Sequence, residues 1–539
     1  MINKLSFLLV ISFFCPNLQA QNTVDSMTFY KDYFPGGNDI NGKYLGSTET
    51  MAIVQHKGKL YAGMGNWMDY PITLQHEGTQ VLRKDAFNAP WVVDTSVGYT
   101  SLRSDALASV SFSKDVNDQP LNPNVSLLVG GFSDIINPKI AGIWVRNDQT
   151  NKWYKNNAFQ LPGEAGIRSF AMHTDKVTHK QYLFGGLTAG SIIKAQYNGG
   201  AIGFLNIDTT RELSGQGRVM AMCVCNGDLY AAAGVDVVGQ DTVGGLYRRI
   251  DGLNPTWQLV YRWPYTPVNS GDEKNIMRGI TSVPDPLGSN NDVIIGTRAN
   301  PGIVEVIQPF NNHTVYTEFD IRAFLGDEWF GGNYPNYAPT LSAYNNFYPD
   351  TLHGNKVWWM SLWVENPNYT THPYNGSYFM QRSLDGTYKY GHIYDNANPV
   401  PTNERLRACR TICKSPFTQD QNDVYYFGGY DCAQDTSNNT SWIYKGVLAT
   451  TPTGIDETSL GSSITIYPNP TTGSLNISNL PENFNGQVTI INSIGQKVLN
   501  EYKTGASFQL DTQSLGRGIY FIQFKGEKGR FFTTKLFKE

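Results

Sequence analysis

The residues of this chain best suited to chemistry fall between positions 166 and 280. Arg168 and His173 share the segment Gly166-Ile167-Arg168-Ser169-Phe170-Ala171-Met172-His173-Thr174-Asp175, and Lys194 follows in Ser191-Ile192-Ile193-Lys194. Arg218 stands after Gly217, Tyr230 in Asp228-Leu229-Tyr230, Arg248 and Arg249 in Tyr247-Arg248-Arg249-Ile250-Asp251-Gly252, and Arg278 before Gly279. A planar guanidinium pairs with carboxylate or sulfate through two parallel hydrogen bonds, so an arginine-rich face suits a carboxylated or sulfated glycan. Histidine and tyrosine take up and release protons in catalysis. Trp67 adds a ring able to stack on a sugar. Each residue also has a plainer reading. His173, next to Thr174-Asp175-Lys176, suits a surface turn; Tyr230 recurs as Tyr61 and Tyr182 at similar places, as packing residues do. Strand alternation sends Arg248 and Arg249 to opposite faces, so only one reaches a given site.

Other chemistries lack their signatures. No P-loop, dinucleotide fingerprint, His-Glu-x-x-His or Gly-x-Ser-x-Gly occurs. Asp175, Asp228 and Asp251 sit in expected turns and form no evident glycosidase pair. His372, Cys409, Cys413 and Cys432 are candidates for a structural zinc site, since thiolate and imidazole suit zinc. A disulfide among these cysteines is the alternative in an oxidising compartment, and calcium stays open. Cys223 and Cys225, two apart on an expected strand, point to one face and read as core.

Six apolar runs ending in small residues punctuate residues 50 to 446: Leu60-Tyr61-Ala62-Gly63, Leu127 to Gly131, Tyr182 to Gly186, Leu229 to Ala232, Val293 to Gly296 and Tyr425 to Gly429. A second set includes Gly142 to Val145, Ser191 to Lys194, Gly245 to Arg248, Gly302 to Glu305, Ser377 to Met380 and Ser441 to Tyr444. Where both members are present, the pair reads as the middle of a four-stranded blade. Repeats of this size with almost no helical periodicity predict a seven-bladed β-propeller. The fold class is therefore all-β, with the propeller followed by a small C-terminal β-sandwich.

In order along the chain, these segments resemble the propeller-type ulvan lyases. The resemblance rests on Glu49-Thr50-Met51, Gly63 to Asp69, Arg168-Ser169-Phe170 before His173-x-Asp175, Arg218-Val219-Met220, Arg248-Arg249-x-Asp251-Gly252, Arg278-Gly279 and Gly428 to Cys432 before Thr440 to Tyr444. It implies endolytic β-elimination at uronic acids linked to 3-sulfated rhamnose. Arginine would neutralise the carboxylate beside the C5 proton, and His and Tyr would serve as base and acid. His173 is then base or neutraliser, Tyr230 the acid/base tyrosine, and Arg248 or Arg249 the carboxylate clamp, with Arg168, Arg218, Arg278 and Trp67 binding substrate. One departure stands out: Lys194 falls where such a lyase has a second histidine. That departure, with the many aromatics, motivates the alternative of a non-catalytic glycan-binding propeller or surface adhesin.

Export signals bracket this region. Met1-Ile2-Asn3-Lys4, an apolar run from Leu5 to Phe14 and Leu18-Gln19-Ala20 have the order of a secretory signal, with cleavage expected after Ala20. The expected division is signal peptide 1–20, catalytic propeller 21–447, linker 448–462 and sorting domain 463–539. The last segment, with Tyr467-Pro468-Asn469-Pro470, Ile494-Gly495-Gln496-Lys497-Val498, Leu515-x-x-Gly518-Ile519-Tyr520 and a lysine near its end, resembles the type A sorting domain of type IX secretion. That resemblance implies a secreted or cell-surface protein with the type IX machinery as partner. The net charge of −4 and the absence of long basic runs argue against a nucleic-acid partner. No later apolar stretch reaches the ~18 residues of a membrane span. The expected ligand is an anionic sulfated polysaccharide and the expected state a monomer.

Overall fold

The computed structural model describes residues 22–24, 27–66, 78–98, 101–134, 141–159, 166–199, 204–214, 217–234, 244–263, 277–299, 302–324, 340–343, 345–365, 377–394, 408–420, 423–431, 440–448, 465–480, 484–492, 496–526 and 531–539. His372, Cys432, Trp67 and the expected signal peptide lie outside them. The chain divides into two compact units, 1–449 and 450–539.

The first unit is a β-propeller with seven blades among the described residues. Blade 1 comprises Glu49–His56, Lys59–Gly65, Gln80–Lys84 and Val92–Ser96; blade 2, Ser101–Lys114, Pro120–Asp134, Ala141–Asn147 and Lys152–Phe159. Blade 3 runs Ile167–Thr174, Gln181–Leu187, Ile192–Tyr197 and Leu205–Leu213; blade 4, Arg218–Cys225, Asp228–Gly234, Gly245–Ile250 and Thr256–Arg262. Blade 5 is Met277–Pro284, Asp292–Arg298, Ile303–Gln308 and Thr314–Asp320; blade 6, Tyr348–Leu352, Asn355–Ser361, Tyr378–Ser383 and Tyr388–His392. Blade 7 takes Ala408–Lys414, Val424–Asp431 and Thr440–Leu448 from its own sequence. Its outermost strand is Met27–Tyr33, antiparallel to Thr440–Leu448, so the start of the chain closes the ring. This closure protects the strand edge that an open sheet would expose.

The paired runs of the sequence are the second and third strands of the blades. Their glycines follow from crowding. A Cβ at Gly186 would lie 2.6 Å from Ser169 Oγ on the first strand and 2.5 Å from Val219 Cγ1 of the next blade. At Gly428 it would lie 2.6 Å from Thr50 Cγ2. A side chain there would push the blades apart.

The core consists of apolar clusters at the blade junctions. Ala52, Tyr61 and Val81 meet Leu107, Leu128 and Phe132 between blades 1 and 2. Phe184, Ile192 and Leu213 meet Val219, Leu229 and Tyr247 between blades 3 and 4, and the remaining junctions are packed alike. Each fully buried large apolar side chain is worth roughly 1.5–3 kcal/mol, so the ring is held chiefly by face-to-face packing of twisted sheets. Cys223 and Cys225 lie in one such cluster with Tyr230.

The second unit packs a three-stranded sheet (Thr465–Tyr467, Ser474–Ser478, Phe508–Asp511) on a four-stranded one (Lys497–Thr504, Asn485–Asn492, Gly518–Gly526, Phe531–Lys538). Leu475, Ile477, Val488, Ile490, Ile522 and Leu536 fill the space between them, as in a β-sandwich. Among the described residues no helix is long and apolar enough to cross a membrane.

Candidate functional site

The first strands of the blades surround the propeller axis, and their starting ends gather on one face. Most carry a pairing irregularity near the start, between Thr50 and Ala52, Ser104 and Ala106, Ile167 and Ser169, Val219 and Ala221, Arg278 and Thr281, and Cys409 and Thr411. A bulge re-aims the extra residue. Asp105, Arg168 and Arg410 occupy bulge positions, and Glu49, Arg103, Arg218 and Arg278 stand at or near the starts of their strands. Five of the seven blades thus bring an arginine to the axial mouth, against the two carboxylates Glu49 and Asp105.

Part of this ring is a continuous ionic arc. Arg410 Nη2 lies 3.1 Å from Glu49 Oε2, and Arg103 Nη1 lies 3.8 Å from Glu49 Oε1. Arg103 also pairs with Asp105, whose Oδ1 is 3.6 Å from Arg168 Nη1. Arg410 lies over the ring of Tyr430, 4.5 Å from its centroid. Further along the axis lies a cavity of about 260 Å³, lined by Asp105 and Arg168 of this ring and by Phe170, Met220, Asn345 and Trp359 among others. Of the residues expected to bind substrate, Arg168, Arg218 and Arg278 sit in this ring. Arg103 and Arg410 were missed.

The residues expected to do catalysis are elsewhere. His173 is five residues beyond Arg168 on the same first strand, about 16 Å at the usual rise of a strand. Its Nε2 lies 2.9 Å from Asp251 Oδ2 of blade 4, and its side chain is 2% exposed. Arg249 is buried in the same cluster: its Nε lies 2.7 Å from Glu212 Oε2, its Nη1 2.8 Å from Asp175 Oδ2, and it also pairs with Asp251. Lys194 Nζ lies 2.7 Å from Glu212 Oε1 and 5.1 Å from the centroid of the Tyr182 ring. Burial opposes ionisation of Asp175, but the Thr178 N–H, Arg249 and the Gly252 N–H outweigh it and hold the carboxyl well below the usual range. Burial likewise opposes ionisation of Glu212, and Arg249 and Lys194 outweigh it.

Tyr230 and Arg248 face the other way, on the blade 5 side of the blade 4 sheet. Tyr230 is buried in the cluster with Trp263, Ile294 and Ile307, its ring 6.1 Å from that of His313. Burial, then the charge of Asp228, pushes its phenol upward. Arg248 Nη2 lies 2.9 Å from Asp228 Oδ2. The sheet of blade 4 therefore separates His173, Lys194 and Arg249 from Tyr230 and Arg248, and the five do not converge in one groove.

The cluster around Arg249 has counterparts at other junctions. Arg146 of blade 2 sits 2.8 Å from Asp94 and 2.7 Å from Asp148, which His56 approaches at 3.0 Å. Arg146 covers the Tyr61 ring at 5.1 Å, as Arg249 covers Phe184 at 5.2 Å. Arg382 pairs with Glu318 at 2.6 Å and Lys84 with Asp32 at 3.1 Å. In all four pairs the cation comes from the third strand of one blade and the carboxylate from the fourth strand of the blade before it. A pattern repeated around the ring is an inter-blade fastening, and His173, Lys194 and Arg249 belong to it.

Of the expected zinc ligands, His372 and Cys432 lie outside the described residues, and the other two point apart. Cys409 packs with Trp359 and Tyr425 on one side of blade 7, whereas Cys413 packs with Leu60 and Tyr426 on the other. Four residues of strand would keep both on one face; the bulge between Cys409 and Thr411 flips the register. Both thiols are free, and burial pushes Cys413 up to about 12. Among the described residues no three potential ligand side chains gather.

Residues 465–539 match the family of secretion system C-terminal sorting domains. No curated protein matches the chain. Among solved structures, PorZ, an essential bacterial surface component of the type-IX secretion system of Porphyromonas gingivalis, aligns at 14% identity and a TM-score of 0.42, over 92% of this chain. The chain spans 60% of the length of that PorZ chain. An exo-β-1,3-galactanase from Phanerochaete chrysosporium aligns at 9% identity, over 95% of this chain and 99% of the other, with a TM-score of 0.29. An α-L-arabinofuranosidase from Clostridium thermocellum aligns at 11% identity, over 50% and 92%, with a TM-score of 0.27. Likenesses this distant carry no functional information. The C-terminal unit of the chain is a type IX secretion sorting domain, and the protein is secreted to the cell surface.

Proposed function

We propose that this is a surface-displayed propeller that binds carboxylated or sulfated glycans at its axial mouth. The observation that carries the reading is the convergence of Arg103, Arg168, Arg218, Arg278 and Arg410 on one face, where Glu49 and Asp105 tie Arg103, Arg168 and Arg410 into one ionic arc. Bidentate guanidinium contacts select carboxylate and sulfate over neutral hydroxyls. Uronate β-elimination, the activity implied by the resemblance to ulvan lyases, would use the same anion-binding cradle. It would need in addition a base for the C5 proton and an acid for the departing oxygen. Among the described residues, His173 and Tyr230 are committed to blade packing about a strand's length from that mouth, which favours binding over elimination.

The test is titration calorimetry with ulvan, pectate and heparin, with neutral laminarin as control, while the ultraviolet absorbance of unsaturated uronate is followed. Binding of the acidic polymers alone, weakened by salt and without rising absorbance, is expected. Equal binding of laminarin would remove the electrostatic basis, and a steady rise in absorbance would establish the lyase instead.

A further inference from the structure

The axial cavity opens away from the arginine ring. Toward the ring it ends at Asp105 and Arg168, and the neighbouring Glu49, Arg103 and Arg410 are buried and linked in the ionic arc. Toward the other end of the first strands, Val54, Ala108, Phe170 and Tyr348 are half-buried and Asn346 is exposed. That is the face of the tight turns between first and second strands, such as Lys57-Gly58 and Asn226-Gly227. A ligand therefore enters the cavity from the turn face, and the arc separates it from the arginine mouth. At about 260 Å³ the cavity lies near the ~300 Å³ where small-molecule pockets begin, room for one sugar ring.

The lining calls for a neutral ring rich in hydroxyls. The two charged groups at its edge are already matched: Asp105 pairs with Arg103 and lies 3.6 Å from Arg168. Trp359 is 1% exposed, and its Nε1–H has no hydrogen-bond partner among the described residues. A buried donor left unpaired costs about 1–3 kcal/mol, which an incoming oxygen relieves. Asn345 donates from Nδ2 to the carbonyls of Met51 and Arg410, both at 3.0 Å, and Asn346 to that of Met222 at 3.0 Å. These bonds fix both carboxamides and make Oδ1 the atom each offers, an acceptor for a ligand hydroxyl. Thr411 Oγ1 accepts the Ile53 N–H at 3.0 Å, which leaves its O–H to donate. Phe170 and Trp359 add ring surface for the apolar face of a sugar. Polar walls held in place beforehand reduce the ordering cost of binding.

We propose that the axial cavity binds a single neutral sugar or cyclic-polyol ring, admitted from the turn face and held by Trp359 Nε1, Asn345, Asn346 and Thr411. The site is separate from the arginine mouth and does not depend on what binds there. One aimed donor, two oriented carboxamide acceptors and aromatic surface suit a molecule that carries many hydroxyls and no charge.

The experiment is calorimetry on the folded, signal-free protein with D-galactose, D-glucose, L-rhamnose and myo-inositol, each at low and high salt; the last probe separates polyols from sugars. At least one should bind at one site per chain, with an affinity that salt changes less than about 2-fold, since no ion pair forms. Trp359→Phe, which keeps an aromatic ring and removes the donor, should weaken that binding about 5-fold, the worth of one neutral hydrogen bond. Ala108→Leu, which narrows the entrance, should weaken it roughly 10-fold or more by steric conflict, and Ala108→Val is the milder change should the first not fold. Saturating acidic polysaccharide should leave the small-ring affinity unchanged. Failure of all four probes to bind would show that the cavity holds water only and overturn the proposal. Binding that both folded variants leave intact, or that acidic polysaccharide displaces, would overturn it by placing the site elsewhere.

Discussion

Arg410 Nη2 lies 3.1 Å from Glu49 Oε2, so an ion pair at the axial mouth joins the last blade of the propeller to the first. The same carboxylate reaches Arg103 of blade 2, and Asp105 extends the chain of charges to Arg168 of blade 3. These ion pairs fix Arg103, Arg168 and Arg410 in place around the axis. On the third and fourth strands, by contrast, buried cations and carboxylates pair across the blade junctions and fasten the blades.

That contrast predicts opposite outcomes for two arginines. Arg249→Met leaves Asp175, Glu212 and Asp251 without their shared cation, and breaking a buried pair from one side costs about 3–5 kcal/mol. Denaturant unfolding should show a loss of that order, while the folded protein keeps its affinity for acidic glycan. A variant of wild-type stability that had lost binding would place Arg249 in the site.

Acid should unfasten the blades. The carboxyls of Asp175, Asp148 and Glu212 are all held below their ordinary values in the folded protein. Their contribution is fully present above the unfolded values near pH 4 and is lost progressively as pH falls below them toward the depressed folded values. The unfolding free energy should therefore be flat from pH 7 to about 5 and decline below about 4, and Arg249→Met should flatten that decline. A wild-type profile with no acid limb would count against the fastening role.

Tyr230→Phe should be nearly silent. The ring fills the junction of blades 4 and 5, and phenylalanine keeps its packing. Stability should change by about 1 kcal/mol or less, with glycan binding unaltered. Loss of a glycan-directed activity on removal of this one oxygen would restore the tyrosine to chemistry.

Cys409 and Cys413 should be inert in the folded state. Burial raises the pKa of both thiols and so suppresses the thiolate, which is the reactive form. Mass spectrometry after iodoacetamide at neutral pH should find them unlabelled until urea is added, with or without a chelator. Labelling that appears in native protein only after EDTA would point to a bound metal.

The blades were legible because their second strands must end in glycine: Gly186, Gly296 and Gly428 face a neighbouring strand or blade too closely for a side chain. The second strand of blade 6, Asn355–Ser361, escaped notice because it carries tryptophans where the others carry glycines. Three of the five ring arginines, Arg168, Arg218 and Arg278, were legible as well. Arg168, Arg278 and Arg410 each stand eighteen residues before one of those glycines, a spacing that would have found Arg410. The grouping of His173 with Tyr230 failed for a reason local sequence does not carry: which side of a blade a residue faces depends on bulges and on the neighbouring blade. Cys409 and Cys413 were separated by the same cause.

The most direct measurement is calorimetric titration of an acidic polysaccharide into wild-type protein, Arg168→Ala and Arg278→Ala, each with its melting curve. Charge-assisted hydrogen bonds of about 1.5–3 kcal/mol correspond to losses of roughly 10- to 100-fold. Losses of that size in both variants, shrinking as salt is raised in the wild type, are the predicted result. Unchanged affinity in both folded variants would contradict the assignment of the axial mouth as the anion site.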